Sequence, residues 1–473
     1  KLLAEHVVKA VDKTYGKSKV SKRKFILEFS QPNTHKAFHV GHIRGTSLGE
    51  SLARIAEFTG DKVMRVTYGG DTGMHIAKWL WNYTKYHAGE TLQADEGWVA
   101  SIYVEAVKRL KKDESLQAEV DEINRKLDDR SDAALNKIWD ETKKSSIEGL
   151  HKIWKNDFYI DFDKEYWESE VEQPGKKISQ HLVKKGIAKI DDEATIMDLH
   201  DFNLGVWILL RRDGTVLYSA KDLALAEQKF KDFDITDSLI ITDSAQDLHF
   251  RQLMKTLELM KFDHIKKYKH ISYGRIDLPT GKMSSRTGDN IFYTAFKQDV
   301  YDCAMDELQK RYEDLDKKLL EERAQIITLA AIKFAMLRQS RTKNILFDPA
   351  KAISFEGDTG PYMLYAYARA SSIVNKVGNI PSFKLHDVSE AERALVKKIA
   401  QFPDKVIEAH THVDASLIAN YAYQLAQSFN EFYHSCKVIG EKDEVFRLHL
   451  VDAFRTTLKN ALYLLGINVL EEM

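Results

Sequence analysis

The sequence has little cysteine or proline and no long apolar run. Its two cysteines, Cys303 and Cys436, lie far apart without C-x-x-C spacing, so the sequence favours a reducing cytoplasm and predicts no thiolate metal site. Only 7 of the 473 residues are proline, which indicates short linkers. No apolar stretch approaches the ~20 residues that a membrane helix needs, and no signal-peptide pattern is visible. We therefore expect a cytoplasmic protein that does not contact a membrane.

The chain also lacks an excess of charge. Its 70 lysines and arginines balance 71 aspartates and glutamates, giving a net charge of −1. A nucleic-acid partner would have to be held by a local patch, because no overall positive charge attracts it. Hydrophobic residues make up 44%, an ordinary globular share, and 473 residues are too many for one core. We expect two or three domains.

The stretch 24–68 predicts a buried strand, a helix and a second strand. The tetrapeptide HVGH at 39–42 stands where the first strand turns into the helix. Unpaired N–H groups at a helix start bind anions. His39 and His42 could therefore both donate to a phosphate, and Gly41 would leave room for a flat base. Two surface histidines at a helix start explain the tetrapeptide equally well when it is taken alone.

Periodicity divides the chain into three parts, the second of which carries an insertion. Residues 1–20 predict a helix end and a polar connector. Residues 21–295 alternate between sheet and helix signals, interrupted at about 78–200 by long charged helices that predict an insertion. From 296 to 473 nearly everything is helical by period, which predicts a separate all-α domain.

A second chemical signal is KMSSR at 282–286, in a loop flanked by glycine and proline. Lysine and hydroxyl side chains on such a loop can close over a triphosphate and neutralise charge as pyrophosphate leaves. A solvated loop is the alternative. Together with HVGH, the motif points to in-line attack on the α-phosphate of ATP, without a covalent enzyme intermediate.

Beyond the two motifs, several blocks resemble the class I aminoacyl-tRNA synthetases, and within them the arginyl-tRNA synthetase family. The blocks follow the family's order from about Lys24 to Met473, and are ILEFSQPNTHKAFHVGHIRGTSLGESLARI, TVLYSAKDLALA, SAQDLHF, ISFEGDTGPYMLYAYARA and VDAFRTTLKNALYLLGINVLEEM. The fourth block alone is specific enough to indicate the family.

The resemblance implies an α/β Rossmann-type catalytic domain split by a helical insertion, followed by an all-α anticodon-binding domain. It implies a ligase that converts L-arginine and ATP into arginyl-adenylate and pyrophosphate, then transfers arginine to the 3′ end of tRNA(Arg). ATP would act with Mg²⁺, and no tightly bound cofactor is expected. Family members typically need bound tRNA before they activate the amino acid. They commonly begin with a further domain. Residues 1–20 of this chain resemble the last helix and the linker of that domain. We expect a monomer.

The family's site positions carry over to residues of this chain. The matched ATP-binding residues are Lys36, His39, Gly41, His42, Lys282, Ser284 and Ser285, of which His39, His42 and Lys282 are catalytic. The matched arginine-binding residues are Glu28, Asn33, Tyr218, Asp222 and Gln246. A guanidinium favours a planar carboxylate with neutral acceptors around it, which agrees with this set. Taken alone, Asp222 could instead be an acidic residue that stabilises a helix start. Lys36 could instead be an ordinary surface lysine.

Four residues of the helical part match tRNA-contacting positions of the family. Tyr362, Tyr365 and Arg369 share one helical face, where rings and a guanidinium can stack unpaired bases. Helix packing is the alternative for the tyrosines. Met473 matches a position near the anticodon, and a frayed tail is its alternative.

The chain departs from the family pattern in two places. Ser285 and Arg286 replace the last two residues of the general K-M-S-K-S loop, and Thr72 stands where the family usually has tryptophan. Two other functions stay open: another class I synthetase or H-x-G-H nucleotidyltransferase, and a catalytically silent RNA-binding relative. Neither requires Tyr218, Asp222 and Gln246 together with both intact motifs.

Overall fold

The computed structural model describes residues 2–19, 21, 23–277, 292–312, 315–383 and 387–473. In chain order the strands are β1 (Lys24–Glu28), β2 (Lys62–Gly69), β3 (Lys164–Trp167), β4 (Lys189–Asp191), β5 (Ala194–Asp198), β6 (Val206–Leu210), β7 (Asp237–Asp243), β8 (Tyr268–Tyr273), β9 (Ile276–Asp277) and β10 (Ile345–Leu346). The helices of the first half are α1 (Leu2–Ala10), α2 (Val40–Phe58), α3 (Met74–Tyr86), α4 (Glu96–Lys112), α5 (Gln117–Asp129), α6 (Ala133–Ile153), α7 (Glu168–Lys184), α8 (Tyr218–Asp232) and α9 (Asp247–Leu259).

The helices that follow β9 are α10 (Tyr293–Arg311), α11 (Lys317–Leu337), α12 (Pro349–Ala352), α13 (Gly360–Val377), α14 (Glu390–Ala400), α15 (Phe402–His412), α16 (Ser416–Ser435) and α17 (Glu444–Leu464). None of the helices in the described ranges is long and apolar enough to cross a membrane.

A parallel sheet forms the centre of the first half, with the strand order β3-β2-β1-β7-β8. β1 lies in the middle and pairs in parallel with both β2 and β7. All its residues except Lys24 are buried, as expected for a central strand covered on both faces. The chain reverses its direction of winding beside β1, so the carboxyl ends of β1 and β7 face a shared crevice. The predicted α/β fold is confirmed.

α2 joins β1 to β2 and is buried along nearly its whole length. It packs close to the sheet because Gly49 has no side chain; an added Cβ there would collide with the ring of Phe29. At its other end α2 meets the helical part of the chain. Ser51 Oγ donates to the carbonyl oxygen of Leu464 at 2.8 Å, and Arg54 Nη1 donates to that of Tyr463 at 3.1 Å. One continuous buried cluster spans this junction.

The sequence predicts long charged helices for residues 78–200, and the structure agrees only in part. α3 to α6 are helical, but β3 pairs with β2 and belongs to the central sheet. After α7, the strands β4, β5 and β6 form a separate antiparallel sheet. β3 is short and half of it is polar, so its apolar signal is too weak to stand out between two helices. The limits predicted for the insertion and the domains stay predictions.

Candidate functional site

A cavity of about 520 Å³ opens at the carboxyl ends of β1 and β7. It brings together seven of the residues predicted for ATP or arginine, namely Glu28, His39, Gly41, His42, Tyr218, Asp222 and Gln246. These residues come from the end of β1, the start of α2, the start of α8 and the turn after β7. The cavity is thus built where an open parallel sheet offers its binding crevice.

The two HVGH histidines are locked together at the start of α2. His39 Nδ1 accepts from the Gly41 N–H at 3.1 Å, and the His39 N–H donates to His42 Nδ1 at 3.1 Å. The rings stack with centroids 3.9 Å apart. An added Cβ on Gly41 would lie 2.8 Å from the His39 ring. The missing side chain therefore makes room for His39 itself, where the sequence had suggested room for a base.

Both imidazoles are neutral donors. Burial, followed by the charge of Lys36, lowers the pKa of His39 to about 4. Burial, followed by the proximity of His39 and Lys36, lowers the pKa of His42 well below its usual value. Since each Nδ1 accepts a backbone hydrogen bond, each proton resides on Nε2. The pair can thus donate two hydrogen bonds to an anion without carrying a charge.

Four ATP-binding predictions remain. Lys282, Ser284 and Ser285 fall outside the described residues. Tyr293, a few residues further along the chain, lies beside the histidines, where its N–H donates to the Phe38 carbonyl oxygen at 2.9 Å. Lys36 does not line the cavity; its Nζ lies 5.3 Å from the centre of the Tyr103 ring. Burial and the charge of Lys78 lower the pKa of Lys36.

Asp222 is fixed by a chain of hydrogen bonds. Its Oδ2 lies 2.5 Å from His249 Nε2, while His249 Nδ1 accepts from Trp207 Nε1 at 3.3 Å. Because Nδ1 is an acceptor, Nε2 carries the proton, and this N–H donates a hydrogen bond to the carboxylate. Asp222 and His249 are both more than nine-tenths buried. The aspartate is therefore held in place by a neutral group, and its negative charge is left for a ligand.

Glu28 differs from Asp222 because its charge already has a cationic partner. Its Oε2 forms an ion pair with Lys229 of α8, and both residues are buried. Its Oε1 accepts from Gln31 Nε2 at 2.9 Å. A buried carboxylate in such a pair keeps its charge but attracts a further cation less strongly than an unpaired one. Within the cavity, Asp222 is thus better suited than Glu28 to bind a guanidinium.

Tyr218 and Gln246 lie at the mouth of the cavity. Tyr218 is the first residue of α8, is 53% exposed, and its ring centroid lies 4.7 Å from that of His249. Gln246 closes a short 3₁₀ turn, Ser244–Gln246, directly before α9. The turn is held by Asp243, whose carboxylate accepts from the Ala245 N–H at 2.7 Å. Both side chains are therefore accessible to a ligand.

Asn33 is the one arginine-binding prediction that does not line the cavity. It forms a single parallel bridge with Gly70, where an added Cβ would collide with the Asn33 side chain. Beside it, Lys221 Nζ donates to Glu168 Oε2 at 2.9 Å and to Thr72 Oγ1 at 2.8 Å. Thr72, at the family's tryptophan position, thus takes part in an ion-pair network.

Three of the four residues predicted for tRNA form one network between α13 and α16. Arg369 donates from Nη2 to the Tyr365 hydroxyl at 2.9 Å and from Nη1 to Asn430 Oδ1 at 3.0 Å. Asn430 Nδ2 in turn donates to the Tyr362 hydroxyl at 2.7 Å. The Arg369 guanidinium also lies 4.8 Å from the centre of the Tyr433 ring, which is exposed. The arrangement presents aromatic rings and a guanidinium to solvent.

Met473 packs against the rest of the chain. It is half-buried against the main hydrophobic cluster. The segment before it is held by Glu471, whose carboxylate accepts from the Tyr367 hydroxyl at 2.8 Å and from Ser371 Oγ at 2.9 Å. Lys333 Nζ also donates to the Gly466 carbonyl oxygen at 2.8 Å. The tail is therefore ordered beside α13.

Three residues that contribute to the site were not predicted from the sequence: His249, then Lys229, which pairs with Glu28 without lining the cavity, and Tyr68. His249 lies three residues after Gln246 in the same block SAQDLHF, and Lys229 lies seven residues after Asp222 on α8. Tyr68 ends the predicted second strand and lines the cavity. Helical spacing from a predicted site residue could have indicated the first two, and position at the carboxyl end of a parallel strand could have indicated the third.

Two family models cover most of the chain. The model for the catalytic domain of tRNA synthetases class I (R) matches residues 6–349. The model for the DALR anticodon binding domain matches residues 363–473. The first ends before α13, and the second covers most of α13 through to the carboxyl terminus.

Curated relatives and a solved structure agree with these models. Arginine–tRNA ligases from Clostridium acetobutylicum and Bdellovibrio bacteriovorus are each 33% identical to the chain, covering 97% and 98% of it and 82% of each relative. The structure of Thermus thermophilus arginyl-tRNA synthetase superposes with a TM-score of 0.84 at 24% identity, covering 100% of this chain and 86% of that one. The structural likeness shows a shared fold.

Proposed function

This chain belongs to the arginyl-tRNA synthetase family of class I tRNA synthetases, and we propose that it attaches L-arginine to tRNA(Arg) at the cavity described above. One observation carries the assignment. The HVGH pair and the Asp222 carboxylate line the same cavity, so a phosphate-binding group and a guanidinium-binding group can act on one bound pair of substrates.

The first step is activation. The arginine carboxylate attacks the α-phosphorus of ATP, the bond to the β-phosphate oxygen breaks, and pyrophosphate leaves with its electron pair. His39 and His42 donate their Nε2 protons as hydrogen bonds to phosphate oxygens, stabilising the negative charge that develops. Lys282, Ser284 and Ser285 act on the same phosphates, and Lys36 supports them. In the second step a terminal ribose hydroxyl of tRNA attacks the arginyl carbonyl, and AMP leaves.

Arginine is recognised at the other end of the cavity. Asp222 binds the guanidinium through a charge-assisted pair, with Tyr218 and Gln246 closing the mouth and Glu28 shaping the wall. Asn33 lies beside Gly70, next to the cavity, and contacts arginine from there when it is bound. Glu28 contributes less attraction than Asp222 because Lys229 already balances its charge.

The tRNA is held at the helical part of the chain. Tyr362, Tyr365 and Arg369 stack and hydrogen-bond unpaired anticodon bases, and Met473 packs beside them. Mg²⁺ bound with ATP would neutralise charge on its phosphates. Among the described residues no three His, Cys, Asp or Glu side chains gather as a metal-binding group. The enzyme acts as a cytoplasmic monomer.

The test is a charging assay with each of the twenty amino acids, bulk tRNA and labelled ATP. Arginine alone should be attached, and arginine-dependent exchange of pyrophosphate into ATP should require tRNA. Charging of another amino acid would assign the chain to a different specificity, and tRNA binding without any charging would favour a silent RNA-binding relative.

A further inference from the structure

Tyr68 presents an unused hydrogen-bonding group to the cavity. It lies near the carboxyl end of β2, and its side chain lines the cavity together with Glu28 and Asp222. Its hydroxyl oxygen is shielded from solvent and has no hydrogen-bond partner among the residues that the structure describes. Buried polar groups in folded proteins are nearly always paired, so an unpaired one at a binding cavity indicates a missing ligand.

The neighbouring polar groups are already engaged with each other. Asp222 accepts from His249, and Glu28 is paired with Lys229 and Gln31. Tyr218, the tyrosine predicted for arginine, lies at the exposed mouth of the cavity. The Tyr68 hydroxyl is therefore available to whatever enters beside Asp222.

The surroundings of Tyr68 favour a cation. Burial, followed by the charges of Asp222, Glu168 and Glu28, raises the pKa of Tyr68 well above its usual value, so the hydroxyl stays protonated and neutral. A neutral hydroxyl has lone pairs that accept a hydrogen bond from a cationic N–H donor. Its own O–H can rotate to donate a hydrogen bond to a carboxylate. Negative charge nearby attracts such a donor and repels an anion.

We propose that Tyr68 is a further arginine-binding residue, whose hydroxyl oxygen accepts a hydrogen bond from the guanidinium of L-arginine paired with Asp222. The proposal rests on the proposed function and deepens it. A carboxylate on the helix α8 and a hydroxyl on the strand β2 would fix the guanidinium plane in a way that a single carboxylate does not.

The test is Tyr68→Phe, which removes only the hydroxyl oxygen. Tyr166→Phe is the matched control, because Tyr166 on β3 pairs in register with Tyr68 and is itself buried, but does not line the cavity. Its hydroxyl donates to Asp232 Oδ2 at 3.0 Å. In tRNA-dependent pyrophosphate exchange, Tyr68→Phe should raise KM for arginine about tenfold, the usual scale of a lost hydrogen bond to a charged group, and leave KM for ATP unchanged. Tyr166→Phe should leave both unchanged.

Thermal unfolding separates this role from a structural one. The melting temperature of arginine-free Tyr68→Phe should equal or exceed that of the unaltered protein, since an unpaired buried hydroxyl is removed, while the rise caused by added arginine should shrink. Tyr166→Phe should melt earlier. An unchanged KM for arginine, or a lower melting temperature of free Tyr68→Phe, would overturn the proposal. If the unaltered protein does not use arginine at all, the proposed function itself fails.

Discussion

The cavity and the surface that we propose for tRNA, formed by Tyr362, Tyr365 and Arg369 and called the tRNA surface below, differ in how deeply their polar groups are buried. In the cavity, Asp222 and His249 are more than nine-tenths buried and bonded in a fixed chain. On the tRNA surface, Tyr362, Tyr365 and Arg369 are only half-buried, and their polar atoms are bonded to each other and to Asn430. We propose that the first site binds a charged guanidinium among buried side chains, and that the second stacks bases at the border with solvent.

The difference decides how much each site depends on a single atom. Water cannot replace a partner lost inside the cavity, so the remaining group keeps the full cost of its burial. On the half-exposed surface, water takes the place of a lost hydrogen bond, and ring faces still stack. Substitutions in the cavity should therefore have far larger effects than those on the surface.

The two regions are joined by α2. Its first turn holds the HVGH histidines, and further along the same helix Ser51 and Arg54 donate to the last carbonyl groups of α17. The tail that follows α17 ends at Met473. A rigid element thus runs from the phosphate end of the cavity to the segment predicted to lie near the anticodon.

Asp222→Asn should have the largest effect. It keeps the size of the side chain but removes the charge that pairs with the guanidinium. Loss of one partner of a buried pair costs ~3–5 kcal/mol, so kcat/KM for arginine should fall about a thousandfold, measured by pyrophosphate exchange with tRNA present. The ratio of kcat/KM for arginine to kcat/KM for citrulline should fall.

Asp232→Asn is the control for that change, because Asp232 ends the same helix outside the cavity and accepts from Gln228 Nε2 at 2.7 Å. It should leave arginine use unchanged. Equal kcat/KM for arginine and citrulline in the unaltered protein would show that the cavity does not recognise a guanidinium.

His42→Asn should have the next largest effect. The asparagine oxygen can still accept from the His39 N–H and preserve the start of α2, but the Nε2 donor is lost. Removing one donor directed at developing charge typically lowers the rate about a hundredfold. Single-turnover measurement of adenylate formation checks this, and the Kd for tRNA should not change. Adenylate formation at the unaltered rate would remove His42 from the catalytic residues. Lys282→Ala should act similarly.

Local signals in the sequence predicted the elements that carry the motifs. The HVGH tetrapeptide does begin α2, and Tyr218 and Asp222 do lie one turn apart at the start of α8. Each of these follows from helical periodicity and from the chemistry of a helix start, which involve only neighbouring residues. The roles of the residues came from the family resemblance.

What the sequence could not predict depends on contacts between distant residues. Helical spacing could have marked His249 and Lys229 as candidates, but it could not have given their partners. His249 is 27 residues from Asp222, and Lys229 is far from Glu28 in the chain, so no local period connects the members of either pair. β3 was missed for the same reason, since its pairing with β2 bridges the helices between them. Asn33 shows the converse: a family position matched, but the described cavity does not include it.

His249 allows the fixed chain in the cavity to be tested directly. His249→Leu removes the donor to Asp222, whereas His249→Gln can restore a donor near the Nε2 position. A hydrogen bond to a charged group is worth ~1.5–3 kcal/mol, so the leucine variant should lose roughly thirtyfold in kcat/KM for arginine, and the glutamine variant clearly less. KM for ATP should stay constant in both. Equal losses would mean that the hydrogen bond does not position Asp222.

The smallest effect is expected on the tRNA surface, at Tyr365. Tyr365→Ala removes a ring face, and a stacked base is worth roughly 1–3 kcal/mol, so KM for tRNA should rise about tenfold. Tyr365→Phe loses only the hydroxyl that accepts from Arg369, which keeps its bond to Asn430, so KM for tRNA should change less than about threefold. KM for arginine in both variants, measured at saturating tRNA, should equal that of the unaltered protein. If Tyr365→Phe were as damaging as Tyr365→Ala, the hydroxyl would matter more than the ring. The surface would then depend on single atoms as the cavity does, and the contrast between the two sites would be wrong.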